Sequence, residues 1–243
     1  MENPFKTKED KVTSIKGSKE PVKEVMEKKT VVTKAGIPIK ANTSFATFDL
    51  GDLVGKTASK DKEDAIRKQI IEHPTEAMAP NGERFLVAFD RVTKAMRNLI
   101  ENHTPNTVVI THNTVFNLIK LWAQRDMPTV LEMTKDKKFR EDYANSKDAP
   151  HDAPYQLPGL DIFIVRHGET EDNLAGNFRG PNTPLTNKGR TQAEETGKAL
   201  KKFKRSEIIT SGVPRTMETG QIITAVIQGS QDGGTDKITD CNK

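Results

Sequence analysis

Cysteine is almost absent from this chain of 243 residues, which has Cys241 alone. One thiol cannot form an intramolecular disulfide, so a small secreted scaffold held by disulfides is excluded. Long apolar runs are missing too: no window approaches the roughly 18 uninterrupted apolar residues of a membrane span, which excludes an integral membrane protein. Residues 1–30 lack an apolar stretch of the kind that a signal peptide needs. We therefore expect a cytoplasmic protein.

Aromatic residues are scarce, at 5%, and hydrophobic residues make up 34% of the chain. The mean hydropathy of −0.65 is polar for a globular protein, so part of the length is not expected to form core. The Lys- and Glu-rich residues 1–30 predict a disordered arm, and residues 229–243 predict a flexible polar tail. Neither sign of charge is in large excess: 38 Lys and Arg against 34 Asp and Glu give a net charge of only +4. That balance alone does not indicate a nucleic-acid partner.

Between the two ends, strand and helix patterns alternate. Strands are predicted at 107–111, 161–165 and 207–210, with weaker candidates at 31–33 and 37–39. Helices are predicted at 62–73, 83–103, 114–125 (with Thr114 as its cap), 187–203 and 214–228. Residues 126–160 are predicted to be a polar connection with a short helix near 130–133. The alternation predicts a three-layer α/β/α sandwich with a mostly parallel central sheet.

Histidines and arginines follow three of the predicted strands. His112 ends the first, Arg166 and His167 end the second, and Arg215 lies just beyond the third. Ligands of such sheets bind beyond the carboxyl ends of the strands. Guanidinium groups match phosphate oxygens, and a neutral imidazole can attack phosphorus when its other nitrogen is held by a hydrogen bond. Helix N-termini after His112 and near Arg215 add backbone donors for an anion. These residues predict a phosphate site.

Several short motifs resemble the histidine phosphatase (phosphoglycerate mutase-like) superfamily. The family's opening half resembles Arg166-His167-Gly168-Glu169-Thr170, Asn173, Pro184-Leu185-Thr186, Gly189, Gln192-Ala193 and the segment from Ser211 to Thr219. Its closing half resembles the segments Phe48 to Gly55, Gly82 to Arg84 and Val108 to His112. A three-residue match would be weak, but here the motifs follow one another in order around predicted strands and helices.

The two halves stand in reversed order, which we interpret as a circular permutation of a phosphoglycerate mutase-like fold. Residues 31–125 then correspond to the family's C-terminal half and 161–228 to its N-terminal half. Residues 126–160 join the original ends, and 31–228 form a single domain. Permutation is tolerated when the original ends lie close together at the surface. Pairing of the two halves between the chains of a homodimer is the alternative.

The resemblance implies a metal-independent histidine phosphatase, a phosphoric monoester hydrolase that needs no cofactor and acts on a small phosphorylated substrate. It implies that His167 attacks phosphorus and becomes phosphorylated. Arg166, Arg215 and Asn173 would bind the phosphoryl oxygens, and His112 would complete the cage. Fixed donors and cations of this kind stabilise the negative charge of a transferring phosphoryl group. No membrane partner is expected, and nucleic acid is disfavoured.

Two departures from the family pattern bear on this interpretation. Thr47 stands where the family often has a glutamate that donates the proton, and a threonine cannot supply that proton at neutral pH. Asp49, Asp52 and Glu83 are the nearby carboxylates; Asp49 is the first candidate and Glu83 the second. Asn113 stands where the family commonly has glycine.

Three alternatives stay open. A mutase would return the phosphoryl group to the substrate. A binding protein would keep the phosphate cage with little turnover, which Thr47 and Asn113 favour. A nucleic-acid tether through residues 1–30 would bind in a strongly salt-dependent way. The remaining histidines, at 73, 103 and 151, are expected to be helix-end or loop residues without a role.

Overall fold

The computed structural model describes residues 30–32, 37–102, 104–178, 180, 182–203 and 207–229. The arm expected at 1–30 lies outside the described residues except for Thr30, and so does the tail expected at 229–243 except for Gly229. His103 also lies outside them.

Six strands of the described residues form one sheet. They are β1 (Thr30–Val32), β2 (Pro38–Ala41), β3 (Thr107–Thr111), β4 (Tyr155–Gln156), β5 (Ile162–Arg166) and β6 (Ile208–Thr210). The order across the sheet is β1-β2-β6-β3-β5-β4. The four inner strands are parallel, and each outer strand pairs antiparallel with its neighbour. The mostly parallel sheet predicted from the strand and helix patterns is confirmed.

Eight α-helices connect or flank these strands in the described part of the chain. They are α1 (Lys60–Glu72), α2 (Phe85–Asn102), α3 (Asn113–Gln124), α4 (Val130–Lys135), α5 (Lys137–Ala144), α6 (Glu171–Ala175), α7 (Asn187–Leu200) and α8 (Pro214–Gln228). Two short 3-10 helices occupy Thr43–Phe45 and Gly51–Leu53.

The start of α3 corrects one prediction. His112, rather than Thr114, is the residue that caps this helix, and its carbonyl accepts the first helical hydrogen bond from the Phe116 N–H at 2.8 Å. The Thr114 hydroxyl lies 3.3 Å from that of Thr47 instead. The helix therefore begins directly after the histidine, and its first turn lies beside the predicted phosphate site.

Two hydrophobic layers cover the two faces of the sheet. Because side chains alternate along a strand, Val108 and Ile110 of β3 face α7 and α8, whereas Val109 between them packs in the layer that holds α2 and α3. Leu200 of α7 and Ile223 of α8 belong to the first layer. The expected three-layer α/β/α arrangement is confirmed.

The connection 126–160 holds more structure than one short helix. It contains α4, α5 and β4, and Met133, Phe139 and Tyr143 are buried in the core. The guanidinium of Arg140 donates to the carbonyl oxygens of Ile71 and Met133 at 3.0 and 2.8 Å. The buried apolar and aromatic residues of this Lys- and Asp-rich segment are too widely spaced for the sequence to predict their packing: they are Met133, Phe139, Tyr143, Ala149 and Leu157. The short helix predicted near 130–133 is confirmed as α4, whereas α5 and β4 were not predicted.

Strand β3 lies between β5 and β6, although it comes from the earlier part of the chain. Its register places Thr111 beside Arg166 and Ile110 beside Thr210. Three parallel strands therefore end at one level, at one edge of the sheet. Among the described residues, no helix has both the length and the apolar character to cross a membrane.

Candidate active site

Four predicted site residues meet where β3, β5 and β6 end. His112 follows β3, Arg166 is the last residue of β5, His167 follows it, and Arg215 lies in the first turn of α8. All four are at most 3% exposed. The ring centroids of His112 and His167 are 5.2 Å apart, and Nε of Arg215 lies 3.4 Å from Nδ1 of His112. The structure thus brings these four residues together.

The hydrogen bond of His167 determines which ring nitrogen could attack a substrate. Nδ1 lies 2.7 Å from the carbonyl oxygen of Gly168. A carbonyl oxygen accepts and does not donate, so Nδ1 carries the hydrogen. In the neutral ring the lone pair is then on Nε2, as a nucleophilic histidine requires.

The tautomer of His112 follows from a chain of hydroxyl groups. Its Nδ1 faces the guanidinium of Arg215, which only donates, so Nδ1 is the acceptor and Nε2 carries the hydrogen. Nε2 donates to the Ser211 hydroxyl at 2.8 Å. Ser211 in turn donates to the Thr216 hydroxyl at 3.0 Å, because Thr216 itself donates to the carbonyl of Val213 at 2.9 Å. The chain holds His112 as a neutral ring with Nδ1 directed at Arg215.

Both guanidinium groups are held by backbone carbonyls. Arg166 donates from Nη1 to the Ala149 carbonyl at 2.5 Å, and the carboxylate of Asp148 is 3.6 Å from the same nitrogen. Arg215 donates from Nη1 to the Gly180 carbonyl at 2.8 Å. Two buried cations at one edge of the sheet make a favourable environment for an anion such as phosphate.

The turn after His167 packs directly against the start of α7. A Cβ added to Gly168 would lie 2.2 Å from the carbonyl oxygen of Gly189, so this position has no room for a side chain. Glu169 accepts from the Thr186 hydroxyl at 3.1 Å and from Lys188 at 3.0 Å. The hydrogen bond from Lys188 lowers the pKa of Glu169, which favours the ionised form in this contact. The backbone of the loop that follows His167 is thereby tied to α7.

Asn173 lies in the first turn of α6. Its Oδ1 accepts from the Thr170 N–H at 3.0 Å and from the Thr170 hydroxyl at 2.9 Å, so it closes a capping box at the start of this helix. With Oδ1 engaged in this way, the NH₂ group is the part of the amide that could bind an anion.

The two predicted proton donors, Asp49 and Glu83, both accept hydrogen bonds from groups near them. Glu83 accepts from Arg91 at 2.8 Å and from the Asp49 N–H at 2.9 Å. Arg91 also donates to the carbonyl of Thr47 at 3.1 Å. Asp49 is exposed, and its Oδ1 accepts from the Gly51 N–H at 2.8 Å. These contacts tie the segment 44–51 to α2, and the role of either carboxylate as an acid stays a prediction.

His151 was expected to have no role, but it lies against His167. Its Nδ1 is 2.5 Å from the carbonyl oxygen of His167, and the two ring centroids are 6.0 Å apart. The sequence carries no periodic signal that would have placed it there. Ser211, by contrast, directly follows β6, so its position at the end of a predicted strand could have marked it as a site residue.

Comparison with known proteins shows the family. The model of the histidine phosphatase superfamily (branch 1) matches residues 28–141 and 162–232. This match covers most of the chain, and the chain belongs to this superfamily. The resemblance inferred from the motifs is confirmed, and with it membership in a family of phosphoryl-transfer enzymes.

Curated relatives match over a shorter stretch. A probable phosphoglycerate mutase GpmB of Cronobacter sakazakii is 38% identical over 82 residues, which is 33% of this chain and 35% of that protein. Proteins of the same description are 40% identical in Proteus mirabilis and 42% identical in Serratia proteamaculans, each over 65 residues, 26% of this chain and 30% of the relative. The chain thus spans about a third of the length of these relatives. No solved structure matches it with significance.

Among the described residues, no group of three His, Cys, Asp or Glu side chains is arranged to hold a metal ion.

Proposed function

We propose that this protein is a phosphomonoesterase that works through a phosphohistidine on His167. The observation that carries the proposal is the meeting of His167, His112, Arg166 and Arg215 at one buried edge of the sheet. The hydrogen bond from Nδ1 of His167 to the Gly168 carbonyl supports Nε2 as the attacking atom.

The chemistry has two steps. In the first, Nε2 of His167 attacks phosphorus, the bond from phosphorus to the ester oxygen breaks, and the leaving alkoxide takes a proton. In the second, water gives a proton to the group that protonated the alkoxide and attacks the phosphorus, the P–N bond breaks, and orthophosphate leaves. Arg166 and Arg215 would balance the negative charge of the transferring group, and the NH₂ of Asn173 would bind one of its oxygens. His112, whose Nδ1 accepts from Arg215, would hold that guanidinium in place for the same group.

Proton donation to the leaving group is the weakest part of the site. Thr47 has no acidic proton, and Asp49 and Glu83 are the proposed donors. The pairing of Glu83 with Arg91 makes Asp49 the better of the two. Esters with poor leaving groups should therefore react slowly, whereas aryl phosphates, whose leaving groups need little protonation, should react faster.

The test is turnover of 4-nitrophenyl phosphate by the full chain and by His167→Gln. We expect the wild type to release orthophosphate and to carry an acid-labile phosphate on histidine. The variant should lose both, with a rate at least about 10³-fold lower because covalent catalysis is removed. The matched control is His73→Gln, because His73 is an exposed histidine near the end of α1. Equal rates for wild type and His167→Gln would overturn the proposal.

Mutase-type transfer is the second candidate, because the matching relatives are described as probable phosphoglycerate mutases. Phosphorus NMR separates the two: hydrolysis produces orthophosphate, whereas a mutase leaves the phosphoryl group on an organic product. A third candidate is a phosphate-binding protein with little turnover, which the threonine at position 47 favours. It predicts tight vanadate binding without release of product.

A further inference from the structure

A short segment outside both family-matched stretches contacts the two central residues of the site. We call Lys147 to His151, between α5 and β4, the strap; it lies between the matched residues 28–141 and 162–232. Its Ala149 carbonyl accepts from Arg166 at 2.5 Å. Nδ1 of His151 donates to the carbonyl of His167, also at 2.5 Å. The strap thus contacts both Arg166 and His167, which are adjacent in sequence at the end of β5.

Asn113, the first residue of α3, anchors the strap with both ends of its side-chain amide. Its Nδ2 donates to the carboxylate of Asp148 at 2.8 Å, and its Oδ1 accepts from the Ala149 N–H at 2.8 Å. Asn117, one turn further along α3, donates to the Lys147 carbonyl at 2.9 Å. Because Asn113 directly follows His112, the anchor lies beside the second histidine of the site.

These contacts have a direct effect on the reacting groups. A long arginine side chain has many rotamers, and a fixed carbonyl acceptor at 2.5 Å selects one of them for Arg166. The main chain of His167 is held by His151 while its ring is held by the Gly168 carbonyl. In phosphoryl transfer, where positioning provides much of the catalysis, a displacement of about 1 Å can cost about 10²-fold in rate.

We propose that the strap positions Arg166 and His167 for phosphoryl transfer, with Asn113 as its anchor and His151 as the residue that holds the nucleophile's main chain. This inference rests on the proposed function and extends it to the strap, which the family match does not include, and to Asn113, which lies within the match. It treats Asn113 and His151 as positioning residues, since each acts through another residue.

The first experiment replaces Asn113 with glycine in the full chain. Without the amide the strap loses two hydrogen bonds, so Arg166 loses its fixed partner. We expect kcat/KM for 4-nitrophenyl phosphate to fall about 10- to 100-fold and inhibition by vanadate to weaken about tenfold, with the melting temperature nearly unchanged. The matched control is Asn145→Ala, because that exposed amide donates to the Glu141 carbonyl and not to the strap. Wild-type kinetics and vanadate inhibition in Asn113→Gly would overturn the inference.

The second experiment compares two substitutions of His151. In His151→Asn the Nδ2 donor replaces Nδ1 at a similar position, so the bond to the His167 carbonyl can form again; in His151→Ala it cannot. Positioning predicts a fall in kcat for His151→Ala and recovery of most of it in His151→Asn. If both variants lose kcat equally and lose the alkaline limb of the pH profile, His151 is a proton donor and the positioning role is overturned.

Failure of this inference can be told apart from failure of the proposed function. If the wild type turns over substrate and the Asn113 and His151 variants match it, the strap proposal is wrong while the function stands. If the wild type neither forms phosphohistidine nor binds vanadate, the proposed function fails, and this inference fails with it.

Discussion

At the scale of single residues, fixed hydrogen-bond donors and acceptors determine which ring nitrogen of each site histidine carries the hydrogen before any substrate arrives. The carbonyl of Gly168 selects one tautomer of His167, and Arg215 with Ser211 selects the other tautomer for His112. The two buried imidazoles, whose ring centroids lie 5.2 Å apart, thus carry their lone pairs on different nitrogens: Nε2 in His167 and Nδ1 in His112. The difference follows from the fixed donor and acceptor roles of arginine and carbonyl groups.

A prediction at this scale concerns Ser211→Ala. The substitution removes the acceptor of the His112 Nε2–H and leaves a buried donor without its hydroxyl partner. We expect kcat/KM to fall about tenfold, which corresponds to the roughly 1.4 kcal/mol of such a hydrogen bond. Nitrogen NMR of His112 should show a mixture of tautomers.

The control for Ser211→Ala is Thr134→Ala, because the exposed Thr134 hydroxyl donates to the Val130 carbonyl within α4. Thr134→Ala should leave both kcat/KM and the nitrogen NMR signals of His112 unchanged. An unaltered kcat/KM in Ser211→Ala, with His112 still in one tautomer, would show that the hydroxyl chain has no part in positioning.

At the scale of elements, the site depends on how closely helices approach the strand ends. Thr219 of α8 accepts from the Gly168 N–H at 3.2 Å and donates to the Arg215 carbonyl at 2.7 Å. The start of α7 approaches from the other direction, where Thr186 accepts from the Gly189 N–H at 2.9 Å and caps that helix. Both helices fix the loop that follows His167, the proposed nucleophile.

The prediction at this scale is for Gly168→Ala. The new Cβ would lie 2.2 Å from the Gly189 carbonyl oxygen, a main-chain atom that cannot move without displacing α7. We expect the free energy of unfolding to fall by about 3 kcal/mol or more, as measured by urea denaturation. Phosphatase activity should fall as well, since the loop must shift.

Gly180→Ala is the matched control for that stability measurement, because a Cβ there meets no atom within 4 Å. It should change the free energy of unfolding by less than about 0.5 kcal/mol. Equal stability of Gly168→Ala and wild type would contradict the close packing of the loop on α7.

At the scale of the whole molecule, one sheet joins strands from both sides of the 126–160 connection. Strand β3 from the earlier part lies between β5 and β6 from the later part, so the site forms across a large separation in sequence. We propose that this arrangement is a circular permutation of the superfamily fold. What matters for the sheet is which strands are neighbours, and the order of their covalent links is secondary.

The proposed circular permutation predicts that the order of the strands and helices along the chain can be changed once more without loss of the fold. Joining Lys243 to Met1 and opening the chain between the exposed Asp152 and Ala153 retains the whole sequence and keeps the strap attached to α5. We expect the protein to fold, with a melting temperature within about 5 °C of the original, because a change of about 1 kcal/mol shifts the midpoint by only about 2–4 °C in a domain of this size. Turnover of 4-nitrophenyl phosphate should persist.

A noncooperative thermal transition, or loss of turnover in the reordered chain, would show that the covalent connection between α5 and β4 is needed for the fold. The matching control opens the chain inside α2, between Thr93 and Lys94. That cut interrupts a helix with eight buried residues and should prevent folding.

The sequence by itself determined the parallel strands, the helices that follow them and the identity of the four residues at the strand ends. These features depend on local patterns: β-branched runs such as 107–111, apolar stripes such as that of α2, and polar residues directly after a strand. Tertiary structure decided the rest. The packing of α5 depends on contacts such as that of Arg140 with Ile71, which are 69 positions apart. The places of Ala149, His151 and Asn113 around Arg166 and His167 arise from contacts between residues 16 to 36 positions apart, and no local pattern encodes either set.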